Sequence, residues 1–252
     1  MIDVALLPTD VGEADVAIVI DVLRATTTAT QALATGYRRV LCTESVERAA
    51  ELREPGRVLA GERQCVKPPG FDQGNSPLEA LRRCGDELVL ATTNGTPAIA
   101  AAANHAGTVV LACLLNLDAV VRTVLERMST ADLRVQVVCS GTNGAVALED
   151  AYVAGRITHR LPGSRTDAAL VAEAVARAFR APLEPLSAST DARALEGAGL
   201  SEDIPFCAQE SILTVVPTLE AVSAGVAIVM AAPDGVAFAR GAVVDGLDRV
   251  GS

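Results

Sequence analysis

The chain has 252 residues, 50% hydrophobic and 21% charged, an ordinary globular balance with enough apolar residues for a large core. Aromatic residues make up only 2%, without Trp, and the formal net charge is -10. These values exclude base-stacking platforms and any binding of nucleic acid or anionic membranes through the field of the whole molecule. An anionic ligand needs a local cationic pocket, and because Lys67 is the single lysine, that pocket must be built from arginines.

In chain order, the start MIDVALLP lacks the basic and long apolar segments of a signal peptide. The run Val16–Ile20 reads as a buried strand closed by Asp21, followed by a helix to Ala34. Arg38 and Arg39 read as surface arginines. Val46–Arg53 has helical period, Val58–Ala60 reads as a strand, and Ser76-Pro77 carries a helix-start signal. The strand Leu88–Ala91 leads to Thr96-Pro97, an N-cap with proline at the first helical position. Thr108–Leu111 and Val135–Val138 read as strands, Leu117–Met128 and Ala145–Leu161 as helices.

This alternation predicts an α/β fold, three-layer α/β/α, with a largely parallel or mixed sheet. From Gly163 the pattern changes to helices at Ala168–Arg180 and Asp191–Glu196, then strands at Ile212–Val216 and Val226–Met230. That part reads as a C-terminal mainly helical insertion with a return to the sheet, inside a single domain over 1–252, with 163–210 open to reading as a smaller lobe. The longest apolar stretches, such as Ala221–Pro233, are too short to span a bilayer. The expectation is a soluble, cytoplasmic protein with no membrane partner, and a homodimer is left open.

Polar clusters follow the apolar runs: DVLRATTT at 21–28, GER at 61–63, FDQGNSP at 71–77, TTNGT at 92–96 and CSGTNG at 139–144. Ligands of open α/β sheets gather outside the carboxyl ends of the strands, so Asp21, Thr92–Gly95 and Cys139–Gly144 are expected on one sheet edge. Together the clusters supply carboxylates, guanidiniums and turn N–H groups, the equipment for metal-assisted chemistry on a phosphate. Asp21 reads equally well as a helix cap, and Glu62-Arg63 as a surface ion pair. Glu149 and Asp150 point about 100° apart on a helix, so one is expected to face the site and the other solvent.

Magnesium takes carboxylate oxygens and keeps waters, so acids drawn from Asp21, Glu62, Glu149 and Asp150 suffice for Mg2+. Zinc lacks its usual ligands: His105 and His159 have no motif spacing with the cysteines, and surface or helix-dipole roles are their default. The six cysteines, without a CxxC pair, read as reduced and mostly buried thiols. Cys139 is the obvious thiol nucleophile by position, yet position 145 is Ala where a cysteine phosphatase loop needs Arg. Position 23 is Leu where aspartyl-phosphate phosphatases carry a second Asp, and no GxxxxGK is present.

DVLRATTT, GER, GFDQGNSP, TTNGT, CSG with Gly144, and LEDAYVAG, in this order and spacing from Asp21 to Gly155, closely resemble the 2-phosphosulfolactate phosphatase family, and IPFC at 204–207 looks like a further family segment. The resemblance implies Mg2+-dependent hydrolysis of (2R)-2-phospho-3-sulfolactate to 3-sulfolactate and phosphate, a step of coenzyme M biosynthesis, on a small anionic phosphorylated substrate. On this reading Mg2+ is bound by Asp21, Glu62 and one of Glu149 and Asp150. Arg24 and Arg63 hold the anionic groups, and Asn75, Thr92, Thr93, Asn94, Gly95, Thr96, Ser140 and Gly141 position them. The nucleophile is water, with Asp21 and Cys139 as alternatives. A cysteine hydrolase of the isochorismatase-like type and a non-catalytic phosphometabolite-binding protein are the rival functions.

Overall fold

The computed structural model describes residues 1–232 and the short strand at 242–243; Pro233, the end of one apolar stretch, lies outside them. The first strands, β1 (Ile2–Ala5) and β2 (Ala14–Ile20), are followed by α1 (Ala25–Thr35), β3 (Arg39–Thr43), α2 (Val46–Glu51), β4 (Arg57–Gly61) and β5 (Gln73–Gly74). Then come β6 (Glu87–Ala91), α3 (Gly95–His105), β7 (Ala106–Ala112), α4 (Leu117–Met128), β8 (Val135–Cys139) and α5 (Leu148–Thr158). Four helices form the insertion: α6 (Asp167–Ala178), α7 (Leu183–Ala188), α8 (Thr190–Gly197) and α9 (Asp203–Cys207). The chain returns to the sheet with β9 (Pro217–Ser223), β10 (Val226–Ala231) and β11 (Ala242–Val243).

Strand periodicity sorts the core into two faces. Ile18 and Ile20 of β2 pack with Leu117 and Val120 of α4 and Tyr152 and Ile157 of α5. Their neighbours Ala17 and Val19 point the other way, among Ala29 and Leu33 of α1 and Ala98 and Ile99 of α3. The result is the expected three-layer α/β/α arrangement. Where the insertion packs back, a Cβ on Gly155 of α5 would run into the carbonyl of Ala172 on α6, so only glycine permits this approach.

The sheet order is β1-β8-β2-β7-β9-β10-β3-β6-β4-β5, with β11 beside β9. β1, β8, β2 and β7 are parallel to one another, as are β3, β6, β4 and β5. Because β9 is antiparallel to both β7 and β10, and β10 to β3, the two parallel blocks run in opposite directions. The single parallel edge expected from sequence is therefore replaced by two opposed blocks. The helices leaving them exchange sides: α1, after β2, packs against β3 and β6, and α3, after β6, packs against β2 and β7. Their N-terminal ends meet, and with them the polar loops.

Other expectations shift locally. Ser76-Pro77 starts only a 3-10 turn at 79–81, and α3 begins two residues before Pro97, at Gly95. Ile212–Val216 is not a strand; the pairing begins at Pro217. Arg39 is no surface arginine, since it hydrogen-bonds Glu87, a buried carboxylate that also accepts from Arg57 at 2.9 Å. This cluster joins β3, β4 and β6, three strands that have no hairpin to hold their register. Arg38 is exposed as expected.

Candidate active site

The residue that closes β2, Asp21, is buried; the N-cap of α1 is Arg24, not Asp21, yet the Asp21 carboxylate takes up the first N–H of that helix. Its Oδ1 accepts the N–H of Ala25 at 2.9 Å, at the start of α1, and its own N–H donates to Thr26 Oγ1 at 3.0 Å. Its Oδ2 faces Gly95, where a Cβ would lie 2.7 Å from that oxygen and 2.6 Å from the Ala25 Cβ. Glycine at 95 thus lets the start of α3 close against the carboxylate. Thr92 Oγ1 accepts the Thr96 N–H at 3.2 Å and supplies the cap for this turn. Burial pushes Asp21 up to about 7 against the lowering hydrogen bond from Ala25, and the charges of Asp191 and Glu62 add to the rise.

Among the described residues Glu62, after β4, forms no ion pair. Its Oε1 accepts from the Thr93 N–H at 3.1 Å and the Thr93 hydroxyl at 2.6 Å, and its Oε2 accepts from the Cys65 N–H at 3.2 Å, so the carboxylate organises two loops. Arg63 donates to the carbonyls of Glu62, at 2.8 Å, and Glu44. Asn94 Oδ1 accepts the Asn143 N–H at 3.3 Å and ties the loop after β6 to the loop after β8. Arg24 is buried and donates from Nη1 to Asp203 Oδ2 at 2.6 Å. Ser76 Oγ donates to the other Asp203 oxygen at 2.6 Å, and the neighbouring Asn75, also buried, has an unpartnered Oδ1.

Glu149 and Asp150 are both buried, so the expectation that one faces solvent is wrong. Asp150 turns inward because three backbone donors need it: Val22 at 3.0 Å, Ser140 at 3.1 Å and Gly141 at 3.1 Å. The N–H groups of Ser140 and Gly141 are thereby committed, while Ser140 Oγ has no partner. Glu149 lies beside Asp191, which the Thr142 hydroxyl holds from the loop after β8. Burial first, then the charges of Asp150 and Asp191, push Glu149 up to about 10, and among the described residues its buried Oε2 has no hydrogen-bond partner. Carboxylates from β2, α5 and α8 thus converge on one another with oxygens to spare.

The sequence profile of the family described as 2-phosphosulpholactate phosphatase matches residues 3–221. A probable 2-phosphosulfolactate phosphatase of Thermus thermophilus is 44% identical over 211 residues, covering 81% of this chain and 88% of that relative. Proteins of the same description from Deinococcus radiodurans (43% over 224 residues; 86% and 92% covered) and Thermotoga maritima (38% over 225 residues; 87% and 95%) agree. The chain belongs to the 2-phosphosulfolactate phosphatase family. It is a phosphatase, a hydrolase of phosphoric monoesters.

In this member of the 2-phosphosulfolactate phosphatase family, the two site carboxylates that sequence reasoning missed are Asp191 and Asp203. Both sit in first turns of insertion helices, where acids are ordinary dipole partners, so their local signal was bland; Asp203 does directly precede the family segment IPFC. Among the described residues, no three His, Cys, Asp or Glu side chains are gathered as a preset metal centre. The donor chemistry nonetheless suits a hard cation: Glu149, 1% exposed, has a carboxylate Oε2 without a hydrogen-bond donor among the described residues, and Asp21 turns its Oδ2 toward Gly95.

The histidines stand apart. His105 pairs with Glu13, and His159 is exposed near Glu173. All six cysteines are free and four are buried. Cys139 is fully buried, and burial, with the charges of Asp150 and Glu149, pushes its thiol far up. Lys67 is exposed on its loop. A separate cleft of about 460 Å³ lies at the opposite ends of β2 and β8; Glu13, Asp15 and Asp132 against Arg134 make it a poor anion site. Among the described residues no helix is long and apolar enough to cross a membrane.

Proposed function

We propose that the protein is a Mg2+-dependent phosphatase that hydrolyses (2R)-2-phospho-3-sulfolactate, or a related phosphorylated 2-hydroxy acid, to 3-sulfolactate and phosphate in the cytoplasm, as a step of coenzyme M biosynthesis. The observation that carries the metal reading is the buried Oε2 of Glu149, without a hydrogen-bond partner among the described residues, beside the carboxylates of Asp150 and Asp191, the latter also acting on Asp21. Repulsion of this kind calls for a cation, and Mg2+ is satisfied by one or two carboxylates, waters and a substrate phosphate. Asp21, Glu149 and Asp191 are the residues that would hold it. Glu62 and Asp150 are better suited to holding the loops, since their oxygens already accept protein donors. When bound, Mg2+ supplies charge neutralisation at the phosphoryl oxygens and lowers the cost of forming a hydroxide.

The remaining work falls to the chain. Among the described residues Arg24 has one guanidinium hydrogen bond, to Asp203, so its other N–H groups are the ones to meet the substrate's anionic groups. In the turn Thr92–Thr96 the Thr93 donors are held by Glu62 and the Thr96 N–H by Thr92, which leaves the backbone at Asn94 and Gly95 to face an anion at the start of α3, where a helix end favours one. Arg63 contributes by fixing the loop after β4 rather than by forking across an oxyanion. Water is the nucleophile in this reading: its oxygen bonds to phosphorus, the ester P–O bond breaks, and the proton the water gives up balances the one the leaving alkoxide takes. A thiol held protonated by burial, such as Cys139, is a poor attacker. The test is a phosphate-release screen across phosphorylated 2-hydroxy acids with Mg2+ and with EDTA; release above a no-enzyme control separates this reading from a binding protein.

A further inference from the structure

We propose that Asp203, in the helical insertion, is a positioning residue that aims the Arg24 guanidinium at the substrate; the proposal rests on the reading that Arg24 takes an anionic group. Arg24 Nη1 and Ser76 Oγ each lie 2.6 Å from a different oxygen of Asp203, so the carboxylate is fixed from both sides. Arg24 and Asp203 side chains are each 2% exposed, and Arg24 stands at the junction between Asp21 and α1. An arginine side chain has many rotamers, and ordering it is costly in entropy. Anchoring one nitrogen removes that freedom before substrate arrives, while among the described residues no other hydrogen bond holds the guanidinium. Asn75, next to Ser76 in sequence, has a buried Oδ1 without a hydrogen-bond partner among the described residues.

Stability alone is a weak account of this pair. A buried ion pair recovers its desolvation cost only partly, and apolar replacements are often as stable. What the pair does provide is direction, and it places the segment between α5 and β9 in control of a group beside Asp21.

The experiment is a double-mutant cycle on steady-state hydrolysis of a phosphorylated 2-hydroxy acid, with Arg24→Gln, Asp203→Asn and the double variant, and with inorganic phosphate as competitive inhibitor. Asp203→Asn is expected to lower kcat/KM by about tenfold or more, chiefly through KM, and to weaken phosphate inhibition in step. In the Arg24→Gln background the same change should cost less than about twofold. Equal losses in both backgrounds, or no loss in the first, overturn the positioning role. If Arg24→Gln itself leaves kcat/KM unchanged, the anion reading of Arg24 fails, and the proposal with it. Should Asp203→Asn fail to fold, Ser76→Ala takes its place, with a loss expected beside Arg24 and none beside Gln.

Discussion

The carboxylate of Asp150 accepts the backbone N–H of Val22 at 3.0 Å, across 128 residues of sequence. With its second oxygen on Ser140 and Gly141, it clamps the loops after β2 and β8 together. Asp150→Asn offers an amide N–H₂ where an acceptor is required. It should destabilise the fold by about 1.5–3 kcal/mol, measured by the shift of the urea midpoint at unchanged slope. A shift below about 0.5 kcal/mol would show that the clamp is idle.

Glu149, its sequence neighbour, should behave differently. Burial and the charges of Asp150 and Asp191 hold Glu149 in its neutral form without metal, so the neutral Glu149→Gln should leave the metal-free protein about as stable as the parent. Mg2+ affinity by calorimetry should fall about tenfold or more. Unchanged affinity would remove Glu149 from the proposed ligand set.

Cys139→Ala tests the nucleophile. The thiol is fully buried, so turnover should persist within about threefold, with the remaining loss traceable to packing. Abolished turnover in a variant of normal Tm, or a trapped phosphocysteine found by mass spectrometry, would reinstate the thiol.

Glu87 sets an acid limit on stability. Burial raises its carboxyl, but the hydrogen bonds from Arg57 and Arg39, with their charges, outweigh burial and hold it below the usual value of 4.5. A depressed carboxyl gives stability that is present above the unfolded pKa and lost as pH falls through the folded one. Tm should therefore drop as the solution is acidified below about 4.5, and Glu87→Gln should lower Tm at pH 7 while flattening that acid limb. An equally steep limb in the variant would assign the acid loss to other carboxylates.

Much of this architecture was legible from pattern. Val16–Ile20 ended on Asp21 as expected, because a strand covered on both faces is continuously apolar and its first polar residue marks the sheet edge. Leu117–Met128 was readable from its amphipathic period. The reversal of the second block was not, since it depends on β9 and β10, whose pairing partners are distant in sequence. The site was legible where loops carry punctuated polar motifs. Asp191 and Asp203 were not, because a carboxylate in a first helical turn looks the same whether it faces solvent or a distant arginine. Arg63 and Asp150 were read as reacting-centre groups, yet their partners in the protein are backbone atoms, which no residue pattern announces.

The most direct test of the account is phosphate release from (2R)-2-phospho-3-sulfolactate by the purified protein, stripped with EDTA and then supplied with Mg2+. The account predicts no turnover in chelator, and with Mg2+ one phosphate for each 3-sulfolactate formed. Full turnover by the metal-free protein would contradict the metal chemistry, and no phosphate from this ester or from any other phosphorylated 2-hydroxy acid would contradict the assigned reaction.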